Sequence, residues 1–224
     1  AVTLNIPMSK PVWENTSRRY PLFNMNISDQ YRASQLLLDV KRWASGESPM
    51  PRYVNIALPN DHGGGLRPDG GYPYDASYMA DNDLALGRIV EALSHTKYWK
   101  EMAIFVTEDD AQSGVDHIDA HRTILLAISP WVRKGAVSHR HGSLPSIINT
   151  AFRLLGVPPL NQYDLTTADL LDVFTTTPDF TPYKALPVDV RIFDPRKAKD
   201  FDRVDGQPEL DAPAWLRREH GAKE

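Results

Sequence analysis

Three short stretches gather the residue types that carry metal and acid–base chemistry. TEDDAQSGVDHIDAHR, Thr107 to Arg122, sets Glu108, Asp109, Asp110, Asp116, His117, Asp119 and His121 between the apolar runs MAIFV and TILLAIS. PNDHGGG, Pro59 to Gly65, places Asp61 and His62 ahead of three glycines, and SHRHGS adds His139 and His141. Adjacent carboxylates such as Asp109 and Asp110 repel one another, so beside a sheet they raise a pKa or require a cation. Taken alone, such a pair reads as a solvated acidic loop. The recurrence of Asp–His pairs at Asp61–His62 and Asp116–His117 shifts the weight toward metal ligation. Mixed carboxylate and imidazole donors suit Zn2+, Mn2+ or Fe, whereas oxygen-only sets suit Mg2+ and Ca2+. Two such ions close together activate a nucleophile and stabilise a phosphoryl oxygen and its leaving group.

The remaining candidates read in two ways. Gly63, Gly64 and Gly65 either form a plain loop tip or let substrate approach the backbone closely. The run lacks the strand–GxxxxGK[ST]–helix setting of a nucleotide loop, which excludes that reading. Arg122, directly after His121, either compensates the acidic loop or binds a substrate oxyanion. His139 and His141 are either exposed or phosphate-side donors, while His95 and His220 take no role. Asp81 to Asp83, the DND triplet, read as a solvated helix face, although the start of the helix could bring Asp81 near the pocket.

These residues need elements to hold them. Residues 1–27, with Pro7, Pro11 and Pro21, read as an irregular surface segment anchored by Trp13, Tyr20 and Phe23. Ser28 and Asp29 supply N-cap chemistry for a helix through about Ala44, with Leu36, Leu37, Val40 and Trp43 on one face and Gly46 as its stop. YVNIAL, Tyr53 to Leu58, has the composition of a buried strand. A helix from about Asp75 to His95 carries Met79, Leu86, Val90 and Leu93 as its apolar stripe, widened by Leu84 and Ile89. Strands AIFVTE and TILLAIS follow, then a helix over Leu144 to Leu155 stopped by Gly156 and Pro158, then a short helix TTADLLDVF capped by Thr166 or Thr167. From about Thr175 the chain is proline-rich and charged, a wrapping or partly mobile tail.

Helices alternating with short apolar strands predict an α/β fold, a layered and mostly parallel sheet flanked by helices. Ligands of such sheets bind outside the carboxyl ends of the strands. Both acidic loops, PNDHGGG and EDDAQSGVDHIDAH, leave such ends.

Composition narrows the classes further. The 224 residues suffice for one large domain with its own core or for two small ones. With 29 acidic against 25 basic residues and a formal charge of -4, no concentrated basic footprint for nucleic acid is expected. No apolar run reaches the roughly 18–20 residues of a membrane span. The absence of cysteine excludes disulfides, thiolate catalysis and cysteine zinc sites.

In combination, LPNDHGGG and MADNDLALGRIVEALSHTKYWKEMAIFVTEDDAQSGVDHIDAHRTILLAISPW resemble bacterial phosphoesterases of the alkaline phosphatase superfamily. The similarity is greatest to members in which this domain follows a β-propeller, with phospholipase C and acid phosphatase relatives more distant. It runs over roughly residues 20 to 175 and matches the motifs in order. The resemblance implies metal-dependent hydrolysis of phosphate mono- or diesters through a Ser or Thr nucleophile, with divalent ions as cofactors: Zn2+ first, then Mn2+, Mg2+ or Ca2+. It implies Asp109 and Asp110 as ligands of the nucleophile-side metal, and Asp61, His62 and His117 as ligands on the other side. Asp116 or His121 would complete the set, with Asp116 orienting His117, while Gly63, Gly64, Arg122 and His141 would face substrate. It further implies a periplasmic or secreted location.

In such relatives the first metal-binding acid and the nucleophile precede the region matched here, and no residue within 1–52 takes their place. Residues 1–175 are thus expected to form the C-terminal portion of a phosphoesterase domain and residues 176–224 a charged extension. The catalytic nucleophile is expected upstream of this chain. A sheet missing its first strands would expose an edge, so self-association or pairing with a missing N-terminal domain is expected. The rival readings are a catalytically silent metal- or phosphate-binding interaction module, and a carboxylate-pair glycosidase with no metal dependence.

Overall fold

A computed structural model describes residues 9–109 and 121–198. The chain divides into two compact units, one formed by residues 1–93 and 183–224 and the other by residues 94–182. Residues 183–198 belong to the first unit.

The first unit is built on three helices: α1 (Lys10–Glu14), α2 (Asp29–Ser45) and α3 (Ala76–Ser94). Helix α2 begins where its capping chemistry says it should, with Ser28 Oγ accepting the Tyr31 N–H at 3.2 Å. It ends at Gly46, whose φ of 83° is a left-handed conformation that glycine adopts without cost. The entering segment is anchored differently from expectation. Phe23 is exposed and Trp13 largely so, and only Tyr20 among the three aromatics holds the chain, its hydroxyl donating to the Ala57 carbonyl at 2.7 Å. The stronger anchor is the fully buried Arg32. Its guanidinium donates to the carbonyls of Pro21 (3.1 Å), Leu22 (2.5 Å), Asn24 (3.1 Å) and Ile27 (2.7 Å), pinning residues 21–27 to α2.

Residues 53–58 alternate between exposed and half-buried, as a strand with one covered face would. No ladder partner for them exists among the described residues. Val54 and Ile56 instead close a small apolar cavity with Leu36, Trp43, Met50 and Leu93.

Helix α3 spans nearly its predicted range, and Ile89, Val90 and Leu93 of the predicted stripe are buried, but toward its start the buried face is a different one. Tyr78, Asp81, Ala85, Ile89, Val90 and Leu93 are buried, whereas Met79 is 49% exposed. Beside it, Tyr72 and Tyr78 stack at 4.5 Å and Phe193 packs on Tyr72 at 5.1 Å. Phe193 belongs to the segment predicted as a tail. That segment does wrap: Ser77 Oγ donates to the Ile192 carbonyl at 2.6 Å, and the Ala185 N–H donates to Glu91 at 3.1 Å.

The second unit holds β1 (Ile104–Thr107) and β2 (Leu125–Ile128), paired antiparallel with Ile104 opposite Ile128 and Thr107 opposite Leu125. This two-stranded sheet is the only one among the described residues, so a layered, mostly parallel sheet is not what they form. Neither strand is a core strand: β1 is half-buried throughout, and Leu125 and Leu126 on β2 are exposed. Helix α4 (Leu144–Leu155) matches its predicted range and stops at Gly156, φ 68°. The expected TTADLLDVF helix is displaced. Helix α5 (Gln162–Thr166) lies before it, capped by Asn161 Oδ1, which accepts the Tyr163 N–H at 2.8 Å, and only Leu171–Val173 form a 3-10 turn.

Candidate functional site

The Asp61–His62 pair sits on a 3-10 turn, Pro59–His62, at the carboxyl end of the extended residues 53–58. Pro59 presets the first φ of the turn, and Gly63 ends it with φ 78°, a conformation costly for other residues. Gly64 has a packing reason as well: a Cβ there would lie 3.0 Å from the Tyr78 hydroxyl. That hydroxyl donates to the Gly65 carbonyl at 2.6 Å, fixing the glycine run against α3.

What holds the turn is a buried polar network that sequence reasoning missed. Asp81, read from the sequence as solvent-facing, is 0% exposed. Its Oδ2 accepts the Asp29 N–H at 2.9 Å, Asn60 Nδ2 at 2.5 Å and the Tyr72 hydroxyl at 2.7 Å. Its Oδ1 accepts the Gln30 N–H at 3.2 Å and Gln30 Nε2 at 2.9 Å. Two of these donors are first-turn amides of α2, which have no partner within their own helix, so α3 caps α2 with a carboxylate placed at its positive end.

Asp29 forms the second half of the network. Its Oδ1 accepts Arg32 Nη1 at 3.0 Å, and its Oδ2 accepts the Asn60 N–H at 3.0 Å and Asn82 Nδ2 at 3.2 Å. Burial raises the Asp29 pKa to about 7 against the opposing pull of Arg32, and the charge of Asp81 adds to the rise. Burial, with the neighbouring Asp81 carboxylate, likewise pushes the Tyr72 hydroxyl far upward, so it serves as a donor. Arg88, lowered by burial, donates to the Gln30 carbonyl and to Gln30 Oε1. Arg32 thus meets Asp29 directly in a fully buried pair, while Arg88 reaches the same region through Gln30.

Asn82 links this network to the turn. Its Nδ2 lies 2.7 Å from the Leu58 carbonyl and 3.4 Å from Asp61 Oδ1. Asp61 is half-buried, whereas His62 is exposed and meets the Phe23 ring edge-on at 5.3 Å. Asn60 Oδ1 is buried and has no hydrogen-bond partner, an oxygen left over on the same turn. A carboxylate, an imidazole and a spare amide oxygen on one turn fit a divalent cation in donor chemistry, with Asp61 and His62 as the ionisable pair. Among the described residues no three His, Cys, Asp or Glu side chains converge on one point.

The other predicted site residues fall elsewhere. Asp109 is exposed just after β1, and His121 and Arg122 are exposed ahead of β2, all in the second unit. His141 is exposed in the loop before α4. Asp110, Asp116 and His117 lie outside the described residues.

A signal for Asp81 existed in the sequence. Tyr78, Ala85 and Ile89 also recur at helical spacing, and taking them as the buried stripe puts Asp81 inside it. No family model matches the chain, and no curated protein or solved structure matches it either.

Proposed function

We propose that this chain carries part of a metal-dependent phosphoesterase acting on phosphate mono- or diesters. The observation that carries the reading is the Pro59–His62 turn, where Asp61 and His62 are adjacent, Asp29 holds the Asn60 N–H, Asp81 holds the Asn60 side chain and Asn82 contacts Asp61 Oδ1. Asp61 and His62 would hold a divalent ion, Zn2+ first, and the ion when bound supplies Lewis-acid stabilisation of phosphoryl oxygens. The motif resemblance further proposes Asp109, Asp110, Asp116, His117 and His121 as metal ligands and Gly63, Gly64, Arg122 and His141 as substrate-facing. No residue of this chain is assigned as the attacking Ser or Thr. The superfamily resemblance, the α/β layered fold and a periplasmic or secreted location belong to the same proposal.

The test is elemental analysis and calorimetric titration of metal-free protein with Zn2+ and Mn2+, followed by assay of aryl phosphates. Stoichiometric binding lost in Asp61→Ala is the expected result. Equal binding by wild type and that variant, or none by either, ends the proposal.

A second reading, an interaction module without turnover, draws on the three consecutive exposed apolar residues Ile124, Leu125 and Leu126. Phosphate-ester hydrolysis by the chain, abolished in Asp109→Ala, would dismiss it.

A further inference from the structure

We infer that Asp81 is the positioning residue of the Asp61–His62 turn, acting through Asn60. Among the described residues it is the one side chain that receives the start of α2, the turn and Tyr72 together. The amides of Asp29 and Gln30 come from α2, the Asn60 side chain from the turn, and the hydroxyl from Tyr72. The Asn60 N–H is meanwhile held by Asp29 Oδ2, so Asn60 is gripped at its backbone by one carboxylate and at its side chain by the other. A residue fixed at both ends has one orientation, and the next two residues along the chain are Asp61 and His62. Asn82, the neighbour of Asp81 on α3, adds a contact at 3.4 Å to Asp61 Oδ1. The same helix therefore holds the Asn60 side chain through Asp81 and one Asp61 oxygen through Asn82. Asp81 touches neither Asp61 nor His62 in any of its hydrogen bonds, and its effect passes through Asn60.

The cation part of this inference rests on the phosphoesterase reading, whereas the positioning of the turn does not. Two measurements on the full chain separate them. Amide exchange reports the turn through the Asn60 and Gly63 N–H groups, the second of which donates to the Asn60 carbonyl at 3.0 Å. Calorimetric titration with Zn2+ reports the ligand pair. In Asp81→Asn, those two amides are expected to exchange faster while α4 keeps its protection, and Zn2+ affinity is expected to fall roughly 10- to 100-fold, the range for outer partners of metal ligands. Asp83→Asn removes an exposed carboxylate from the same helix and should leave both readouts at wild-type values.

Tyr72→Phe removes a single donor from Asp81, keeps the ring stack and should give a smaller change of the same kind, which serves if Asp81→Asn fails to fold. Unchanged exchange at Asn60 and Gly63 in a folded variant overturns the inference, and so does unchanged Zn2+ affinity. If wild type takes up no Zn2+, the phosphoesterase reading fails, and the exchange result alone decides the positioning of the turn.

Discussion

The two units differ in how they bury polar groups. In the first, fully buried Asp29, Arg32 and Asp81 meet with Asn60 and Tyr72, and apolar groups such as Ile89 and Phe193 pack around them. In the second, the residues that α4 buries are Ser146 and Thr150. Ser146 Oγ lies 2.9 Å from Thr167 Oγ1, and Thr150 Oγ1 accepts the Leu170 N–H at 2.9 Å. Three apolar side chains of that helix, Leu144, Ile148 and Leu154, are exposed, and Ile147, Phe152 and Leu155 are only half-buried. A buried ion stabilises only while all its partners stay in place, because breaking one bond strands a charge in a poor solvent. A hydroxyl pair carries a far smaller penalty, close to that of an ordinary hydrogen bond. The first unit should therefore respond sharply to single substitutions and to pH, and the surface of the second hardly at all.

Removing Arg32 tests the comparison hardest. Arg32→Met leaves Asp29 without its cation and four carbonyls without their donor. The expected loss is about 3–5 kcal/mol by urea denaturation, enough to unfold the first unit. A loss near that of a surface change would mean that residues 21–27 are held by something else.

The effect of pH should be intermediate. Because the folded-state pKa of Asp29 lies near 7, above the ordinary 3.8, folding favours its protonated form. The contribution of Asp29 is then fully present below about pH 4 and is lost as pH rises through about 7. Urea midpoints measured across that window should fall with rising pH, and Asp29→Asn should flatten the decline. A midpoint that rises with pH and follows Asp29 would reverse the assigned direction.

The smallest effect is expected on α4. Ile148 is 44% exposed, so Ile148→Gln should shift stability by no more than about 0.5 kcal/mol. A loss of 2 kcal/mol or more, roughly the cost of emptying a covered apolar site, would show that this helix face is occupied in solution.

Legibility in the sequence followed the range of the forces involved. Helices α2 and α4 were readable because their ends are local: Ser28 caps one, and Gly46 and Gly156 stop them with left-handed backbone. Residues 53–58 were readable as extended from their β-rich composition, but a strand's partner and burial are distant matters: the run is half exposed, and no partner stands among the described residues. The Asp61–His62 turn was visible from its residue types, yet the network beneath it was not. Asp81 looks like any surface aspartate until α2, 51 or 52 residues earlier, presents its amides. Short helices fared worst, since α5 depends on the single cap Asn161 rather than on a repeated pattern.

The wrap of residues 183–198 has a consequence for synthesis. Ser77 finds its acceptor 115 residues further along, at Ile192, and Phe193 completes the Tyr72–Tyr78 cluster beside it. A ribosome making this chain releases α2, α3 and the whole second unit before that plug emerges. The second unit has every described residue it needs at that moment, whereas the first must wait with two tyrosines uncovered. The order of completion therefore inverts the order of synthesis. During that wait the face around Tyr72 and Tyr78 is the apolar surface left open to off-pathway contact.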